Sequence, residues 1–218
     1  MPRWSPDGKQ IVFGAYLPDG AEKIFLVSGD GGTSEKLLPD DPHWVDDPGW
    51  SPDGKSLLLA FYPPGVSTGR AEDYYVVQYD LQSKKVTPLS GGQQMFGPRR
   101  SPDGRYISTL SADQRRLMVL EVKTGKWREL AAGRYLQYPN WARDSKNIYL
   151  EDLGDDGPEL DRISVADGRK ERVASLKGIP RPVMNSDQPW NGLTLDNSPL
   201  IMRDVGTREL YSLELEWP

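Results

Sequence analysis

The sequence predicts an all-β fold, a β-propeller of five blades, on the basis of three observations. A turn sequence returns five times, each copy stands before an apolar run of β-forming residues, and the copies are spaced like propeller repeats. The aspartates of the turns, at positions 7, 53, 103, 144 and 196, are 46, 50, 41 and 52 residues apart. Propeller blades repeat at about 40–50 residues and hold several strands each, whereas leucine-rich and ankyrin repeats are shorter.

The turn is best preserved in the first two copies, Trp4-Ser5-Pro6-Asp7-Gly8 and Trp50-Ser51-Pro52-Asp53-Gly54. Proline fixes φ at the second turn position, aspartate suits the third, and glycine accepts the left-handed conformation at the fourth. The third copy keeps Ser-Pro-Asp-Gly but has Arg100 in place of tryptophan, whereas the fourth and fifth are degraded. Because each aspartate serves its own turn on a separate blade, we expect no metal site from them. The repeated tryptophans Trp4, Trp50 and Trp141 are expected to pack between blades.

Each repeat is predicted to contain four antiparallel strands in the same order. A short strand enters the turn, an apolar strand leaves it, and a third and a fourth strand follow through tight turns. The second strands are predicted at 11–16, 57–62, 106–110, 148–150 and 200–202. The third strands are predicted at 23–27, 74–79, 116–122, 160–165 and 209–215, and the fourth at 34–38, 85–89, 127–130 and 171–176.

The fifth repeat ends before a fourth strand. We therefore predict one propeller domain over 1–218, with blades starting near 2, 48, 98, 139 and 189 and an incomplete last blade. Such a blade is also expected in a fragment of a larger propeller. Its free edge is expected to favour self-association.

Composition indicates a folded protein and argues against several functions. The chain has 218 residues, of which 37% are hydrophobic and 27% charged, and a net charge of −5. Without a long basic cluster, nucleic-acid binding is not expected. No apolar stretch approaches the ~18 residues of a membrane helix, and the chain has no cysteine for disulfides or zinc. We expect no cofactor and no metal. The composition does not indicate the cellular compartment.

The candidate site is the mouth of the central channel, formed by the loops before the innermost strands. A proline two residues before each of the first four turn sequences is expected to hold the entering chain extended. Aromatic and polar residues that differ between blades stand just upstream. The candidates for contact with a ligand or partner are His43, Trp44, Asp46, Gln94, Phe96, Tyr135, Gln137, Asp187 and Trp190. Such a set suits capture of a peptide or sugar, and the alternative is that the rings pack between blades.

No catalytic site is predicted. The sequence Gly65-Val66-Ser67-Thr68-Gly69 matches a nucleophile elbow, which needs a strand before it and a helix after it. Here two prolines precede it, and a predicted strand follows. The single histidine is distant in sequence. Paired carboxylates for glycoside hydrolysis stay open, because the sequence does not set the separation that this chemistry requires.

The turns and one strand resemble a known repeat. The segments Trp4-Ser5-Pro6-Asp7-Gly8-Lys9, Trp50 to Lys55 and Tyr75 to Asp80 resemble the TolB-like, or PD40, β-propeller repeat, which is WD40-like. This resemblance implies a non-catalytic binding or sensor module for a protein, peptide or small ligand. It also implies a bacterial protein in the periplasm or another extracytoplasmic compartment. The alternative is a propeller hydrolase or lyase, or the substrate-gating propeller of a peptidase.

A second resemblance concerns the C-terminal run from Ser198 to Tyr211. It is similar to the end of large acidobacterial-type regulators, which join a winged-helix DNA-binding domain or a kinase to a PD40 propeller. This resemblance implies that the chain is part of a larger bacterial regulator.

Overall fold

The computed structural model describes residues 2–63, 73–182 and 191–206. Within these ranges the strands form four antiparallel four-stranded sheets and a two-stranded fifth sheet. The predicted fold class, an all-β propeller with an incomplete last blade, is therefore confirmed. The predicted third strand of the fifth blade, 209–215, lies outside the described residues.

Each blade follows the chain in order from its first to its fourth strand. The first blade contains β1 (Arg3–Trp4), β2 (Gln10–Tyr16), β3 (Glu22–Ser28) and β4 (Glu35–Lys36). The second contains β5 (Trp44–Trp50), β6 (Ser56–Tyr62), β7 (Tyr75–Asp80) and β8 (Val86–Gln93). The third contains β9 (Met95–Arg100), β10 (Tyr106–Ser111), β11 (Arg116–Glu121) and β12 (Lys126–Ala132). The fourth contains β13 (Leu136–Trp141), β14 (Asn147–Gly154), β15 (Gly157–Ser164) and β16 (Lys170–Ser175), and the fifth sheet contains β17 (Asn191–Leu193) and β18 (Pro199–Ile201).

The repeated turn has the geometry that its residues predict. In the second blade the amide of Gly54 donates to the Ser51 carbonyl at 2.9 Å, and the φ of Gly54 is +68°. The Ser51 hydroxyl donates to the Asp53 carboxylate at 2.6 Å and accepts from the amide of Ser56 at 3.0 Å. The first and third blades repeat this arrangement. The repeated aspartates thus serve their own turns, as expected.

The innermost strands are not simply extended, which corrects the expectation for the prolines. The residue before proline has a positive φ in three blades, +51° at Asp47, +62° at Gly97 and +47° at Tyr138. At each of these points the register between the first and second strands shifts by a β-bulge. Proline has no N–H to donate to the ladder, so a bulge accommodates it without losing a hydrogen bond.

Apolar residues fill the spaces between successive blades. One cluster joins the first two blades and includes Val12, Ile24, Leu57 and Phe61, and another joins the third and fourth. Two of the repeated tryptophans, Trp50 and Trp141, add a hydrogen bond to this packing, whereas Trp4 is exposed. The indole N–H of Trp50 donates to the carbonyl of Arg3 in the preceding blade at 3.0 Å. The indole of Trp141 makes the same bond to the carbonyl of Arg99 in its own preceding blade.

Candidate functional site

The inner strands β5, β9 and β13 begin upstream of their prolines, so the predicted site residues near them lie at or next to the strand starts. Trp44 begins β5, Gln94 connects β8 to β9, and Phe96 and Gln137 are the second residues of β9 and β13. The structure divides them into an aromatic group at the second and third blades and a polar group at the fourth. Two of the candidate residues, Asp187 and Trp190, lie outside the described residues, and the side chain of Asp46 is not described. The segment 65–69, which has the nucleophile-elbow sequence, also lies outside the described residues.

Four rings form a continuous aromatic strip, defined as Trp44, Tyr62, Tyr74 and Phe96. Their centroids follow one another at 5.9, 5.1 and 5.9 Å. Tyr62 is buried and its hydroxyl donates to the Glu22 carboxylate at 2.5 Å, which holds the strip against the first blade. The other three rings are half-buried and keep part of their surface accessible. Sequence reasoning identified the two ends of the strip but missed its tyrosines, although both flank one loop, at the end of β6 and before β7.

His43 lies behind this strip in a hydrogen-bonded group with Asp41 and Tyr75. Its Nδ1 is 2.7 Å from the Asp41 carboxylate, and its Nε2 is 3.1 Å from the Tyr75 hydroxyl. The imidazole stacks on Phe61 with centroids 5.2 Å apart. Burial, followed by the nearby Asp41 carboxylate, raises the pKa of the Tyr75 phenol. These contacts hold the histidine in place by both ring nitrogens.

Gln137 belongs to a buried polar group at the junction of the fourth blade and the fifth sheet. It stands opposite Glu151 in the β13–β14 ladder, and Glu151 forms an ion pair with Arg181. Asn191 donates to the other Glu151 oxygen at 3.4 Å and accepts from the Asn140 amide at 3.0 Å. All these side chains except Asn140 are almost inaccessible to solvent. The group therefore joins the fourth blade to the fifth sheet.

Tyr135 is set by a second carboxylate of the fourth blade. The backbone amides of Arg134 and Tyr135 donate to the same oxygen of Asp152 at 3.0 and 3.2 Å. The other carboxylate oxygen of Asp152 accepts a hydrogen bond from the Lys170 ammonium at 2.8 Å. This ammonium also lies 2.9 Å from the buried carboxylate of Asp161. Burial raises the pKa of Asp161 more than Lys170 lowers it. For Asp152, Lys170 and the two amides outweigh burial, so its pKa is lowered.

The inner strands also carry charges that sequence reasoning missed. Asp47, at the bulge of β5, forms an ion pair with Arg99 of β9, and Arg3 of β1 lies 3.5 Å from the same oxygen. The Arg99 guanidinium also donates to the backbone carbonyl of Asp47 at 3.2 Å and to that of Pro98 at 2.9 Å. Burial acts to raise the pKa of Asp47, but Arg99 and Arg3 outweigh it and the pKa is lowered. Each of these charged residues directly precedes or follows the proline of its blade, and this shared position is the signal that the sequence offered.

In the described ranges, no group of three or more histidine, cysteine or acidic residues is arranged to hold a metal ion. The same part of the chain contains no helix long and apolar enough to cross a membrane.

The blades, their repeated turns and the inter-blade tryptophans define a β-propeller repeat protein. The family model of the TolB β-propeller domain, PD40, matches residues 1–184, so this chain belongs to that family. A comparison with curated proteins gives no match.

Solved structures with the same fold have diverse descriptions. A protein described as TolB from Agrobacterium tumefaciens matches with a TM-score of 0.65 and 22% identity, over 78% of this chain and 63% of its own. A nidogen–laminin complex matches with a TM-score of 0.60 and 14% identity, over 84% of this chain and 65% of its own. A structure from a study of two prolyl endopeptidases matches with a TM-score of 0.57 and 17% identity, over 82% of this chain and 29% of its own. This chain thus spans less than two thirds of each of these proteins, and at these identities the likeness concerns the fold.

Proposed function

We propose that this chain is a non-catalytic binding module that captures an extended protein or peptide segment on the aromatic strip at its channel mouth. The strip is the observation that carries the proposal. Its rings offer apolar faces with few polar groups between them, and aromatic side chains dominate the energetics of protein contacts. The match to a nidogen–laminin complex supports a protein as partner, since its description names a complex of two proteins.

The position of the strip also supports this proposal. Trp44 and Phe96 belong to different strands, Tyr74 directly precedes β7, and the buried hydrogen bond between Tyr62 and Glu22 holds the middle of the strip. A rigid aromatic surface loses little conformational entropy when a partner binds, so more of the contact energy appears as affinity. His43, Asp46, Gln94, Tyr135, Gln137, Asp187 and Trp190 stay predictions as partner contacts.

A peptide selected from a random display library on the wild-type chain serves as the probe for this function. Changing Trp44→Ala or Tyr74→Ala is expected to weaken its affinity about tenfold or more, because each change removes one ring of the strip. Trp127→Ala is the control, since it truncates another half-buried tryptophan that lies on β12. Equal affinity for the wild type and both strip variants, with folding verified by circular dichroism, contradicts the aromatic strip as the binding site.

The alternative function is a hydrolase or lyase propeller, or the propeller that gates access to a peptidase. The group of Asp41, His43 and Tyr75 and the likeness to a prolyl endopeptidase structure favour it. Against it, a phenol is protonated at neutral pH and burial raises the pKa of Tyr75 further, and both nitrogens of His43 are engaged. Acyl transfer needs an available base and an activated nucleophile. Turnover of ester, peptide or oligosaccharide substrates that His43→Gln abolishes decides for an enzyme.

A place in a larger bacterial regulator is part of the same proposal. The similarity of residues 198–211 to acidobacterial-type regulators supports it. Sequencing the gene on both sides of this segment tests the idea, and a reading frame without any signalling or DNA-binding domain contradicts it.

A further inference from the structure

The open face of the first blade repeats a feature that successive blades use to join one another. Trp50 donates to the carbonyl of Arg3, and Trp141 donates to the carbonyl of Arg99, both at 3.0 Å. In each case the acceptor is the carbonyl of the residue just before the turn sequence, in the blade that precedes the blade of the tryptophan. The third blade has Arg100 at the tryptophan position, and its Nε donates to Gly104 of its own turn.

Trp4 occupies the same position in the first blade. It pairs with Ile11 in the ladder, as Trp50 pairs with Leu57 and Trp141 with Ile148. Its side chain is 58% exposed, and within the described ranges its indole has no carbonyl acceptor. The first blade therefore carries the donor of an inter-blade bond without its acceptor.

An apolar surface surrounds this indole. Phe13 and Phe25 stand opposite each other in the β2–β3 ladder with ring centroids 5.6 Å apart, and both are half-buried. Ile11 and Val27 lie two positions away on the same face of the sheet, because side chains alternate along a strand. The opposite face of this blade packs into the core with Val12 and Ile24. The exposed face is thus the counterpart of one that another blade covers elsewhere in the chain.

The fifth sheet carries the matching acceptor position at the other end of the row of blades. Gly192 pairs with Leu200 in the β17–β18 ladder as Arg3 pairs with Val12 in the β1–β2 ladder. Like Arg3, Gly192 directly precedes the first residue of its turn sequence. No tryptophan of a following blade reaches the Gly192 carbonyl in the described part of the chain. Several apolar side chains of this sheet and its flanks are exposed, namely Leu195, Leu200, Met202 and Val205.

We propose that the open face of the first blade docks the fifth sheet of a second copy of this chain, with Trp4 donating to the partner copy's inner-strand carbonyl at Gly192. The two ends of one chain are complementary, since one offers the indole donor and stacked rings and the other offers the carbonyl and apolar side chains. This contact stacks one sheet face on another and differs from pairing of the free strand edge. It is a heterologous contact, which produces closed rings or open chains of copies. It does not depend on the channel mouth.

Sedimentation velocity over a range of protein concentrations tests this inference. For the wild type, the average mass of the sedimenting species is expected to rise with protein concentration. Trp4→Ala and Leu200→Glu are each expected to weaken association about tenfold or more. Tyr16→Ala is the matched control, because it removes an equally exposed aromatic of β2 that alternates onto the face turned to the second blade. Circular dichroism verifies that each variant is folded.

A mixture of the two defective variants gives the sharper result. The Trp4→Ala chain keeps an intact fifth sheet, and the Leu200→Glu chain keeps an intact first-blade face. An equimolar mixture is therefore expected to recover association, but only up to one pair of chains. A wild-type chain that stays monomeric at every concentration overturns the proposal. So does a mixture that stays monomeric while the wild type associates, or association that survives both substitutions together.

Discussion

The carboxylate of Asp47 in the second blade forms an ion pair with the guanidinium of Arg99 in the third, close to the innermost strands' bulges. The side chains are 16% and 9% exposed. Arg3 of the first blade approaches the same carboxylate oxygen, so one acidic group links three consecutive blades. Blade order in this chain therefore depends on a charge interaction as well as on apolar packing.

Removing Asp47 alone is expected to destabilise the fold. Asp47→Ala leaves Arg99 buried without its anionic partner, and loss of one member of a buried pair costs about 3–5 kcal/mol in the free energy of unfolding. The double variant Asp47→Ala/Arg99→Met is expected to recover part of this loss. Urea denaturation of the three proteins measures it, and a double variant less stable than Asp47→Ala contradicts the assigned pairing.

The same ion pair predicts a dependence of stability on pH. The pKa of Asp47 is lowered in the folded state from its ordinary value of 3.8. Its contribution is therefore fully present above pH 3.8 and is lost as pH falls below that value through the folded-state pKa. Unfolding free energy measured from neutral to acidic pH is expected to fall more steeply for the wild type than for Asp47→Asn. Parallel curves contradict the lowered pKa.

Gly49 is expected to tolerate no side chain, because β5 and β9 approach closely at this point. A Cβ placed on Gly49 lies 2.6 Å from the carbonyl oxygen of Pro98, which is backbone and cannot rotate away. Gly49→Ala is expected to cost about 1–3 kcal/mol of stability through this overlap. Gly154→Ala is the control, since its nearest atom would be at 3.7 Å. Thermal denaturation in which both variants lose equal stability contradicts the close approach.

Asp152 and Asp161 share Lys170 but are expected to respond in opposite directions to amide substitution. Asp152→Asn weakens three hydrogen bonds to a group whose pKa is lowered, and it should destabilise the fold by about 1–3 kcal/mol. Asp161 has a raised pKa, so its ionised form opposes folding as pH rises above 3.8 through the folded-state pKa. Asp161→Asn is therefore expected to be neutral or stabilising at pH 7, and to lose any advantage below pH 3.8. Chemical denaturation at neutral and acidic pH measures both effects, and a large loss for Asp161→Asn at neutral pH contradicts them.

The Ser51 hydroxyl is expected to matter more than its size suggests. It is buried, donates to Asp53 and accepts from the amide of Ser56, so Ser51→Ala leaves a buried amide without a partner. The expected loss of stability is about 1–3 kcal/mol. Ser83→Ala, at an exposed turn where the hydroxyl also donates to an aspartate, is the control and should change stability far less. Similar losses at both positions by urea denaturation contradict the role assigned to burial.

The class of fold follows from the sequence, because the signals for it are local and repeated. Proline, aspartate and glycine set the backbone of each turn, as the hydrogen bonds around Asp53 show, and the spacing of the turns set the propeller repeat. The period also placed Trp50 and Trp141 between blades. What the repeat could not show was that Trp4, with the same sequence context, stays exposed.

Which of the predicted site residues meet depends on the tertiary structure. Trp44 and Phe96 join one aromatic strip only because Tyr62 and Tyr74 lie between them, whereas Gln137 turns into a buried polar group of the fourth blade. The bulges at Asp47, Gly97 and Tyr138 change the side-chain direction along the inner strands, which a count of residues before a turn does not register. The partners of Asp47 lie on other blades, and their approach depends on how the sheets stack rather than on any local residue pattern.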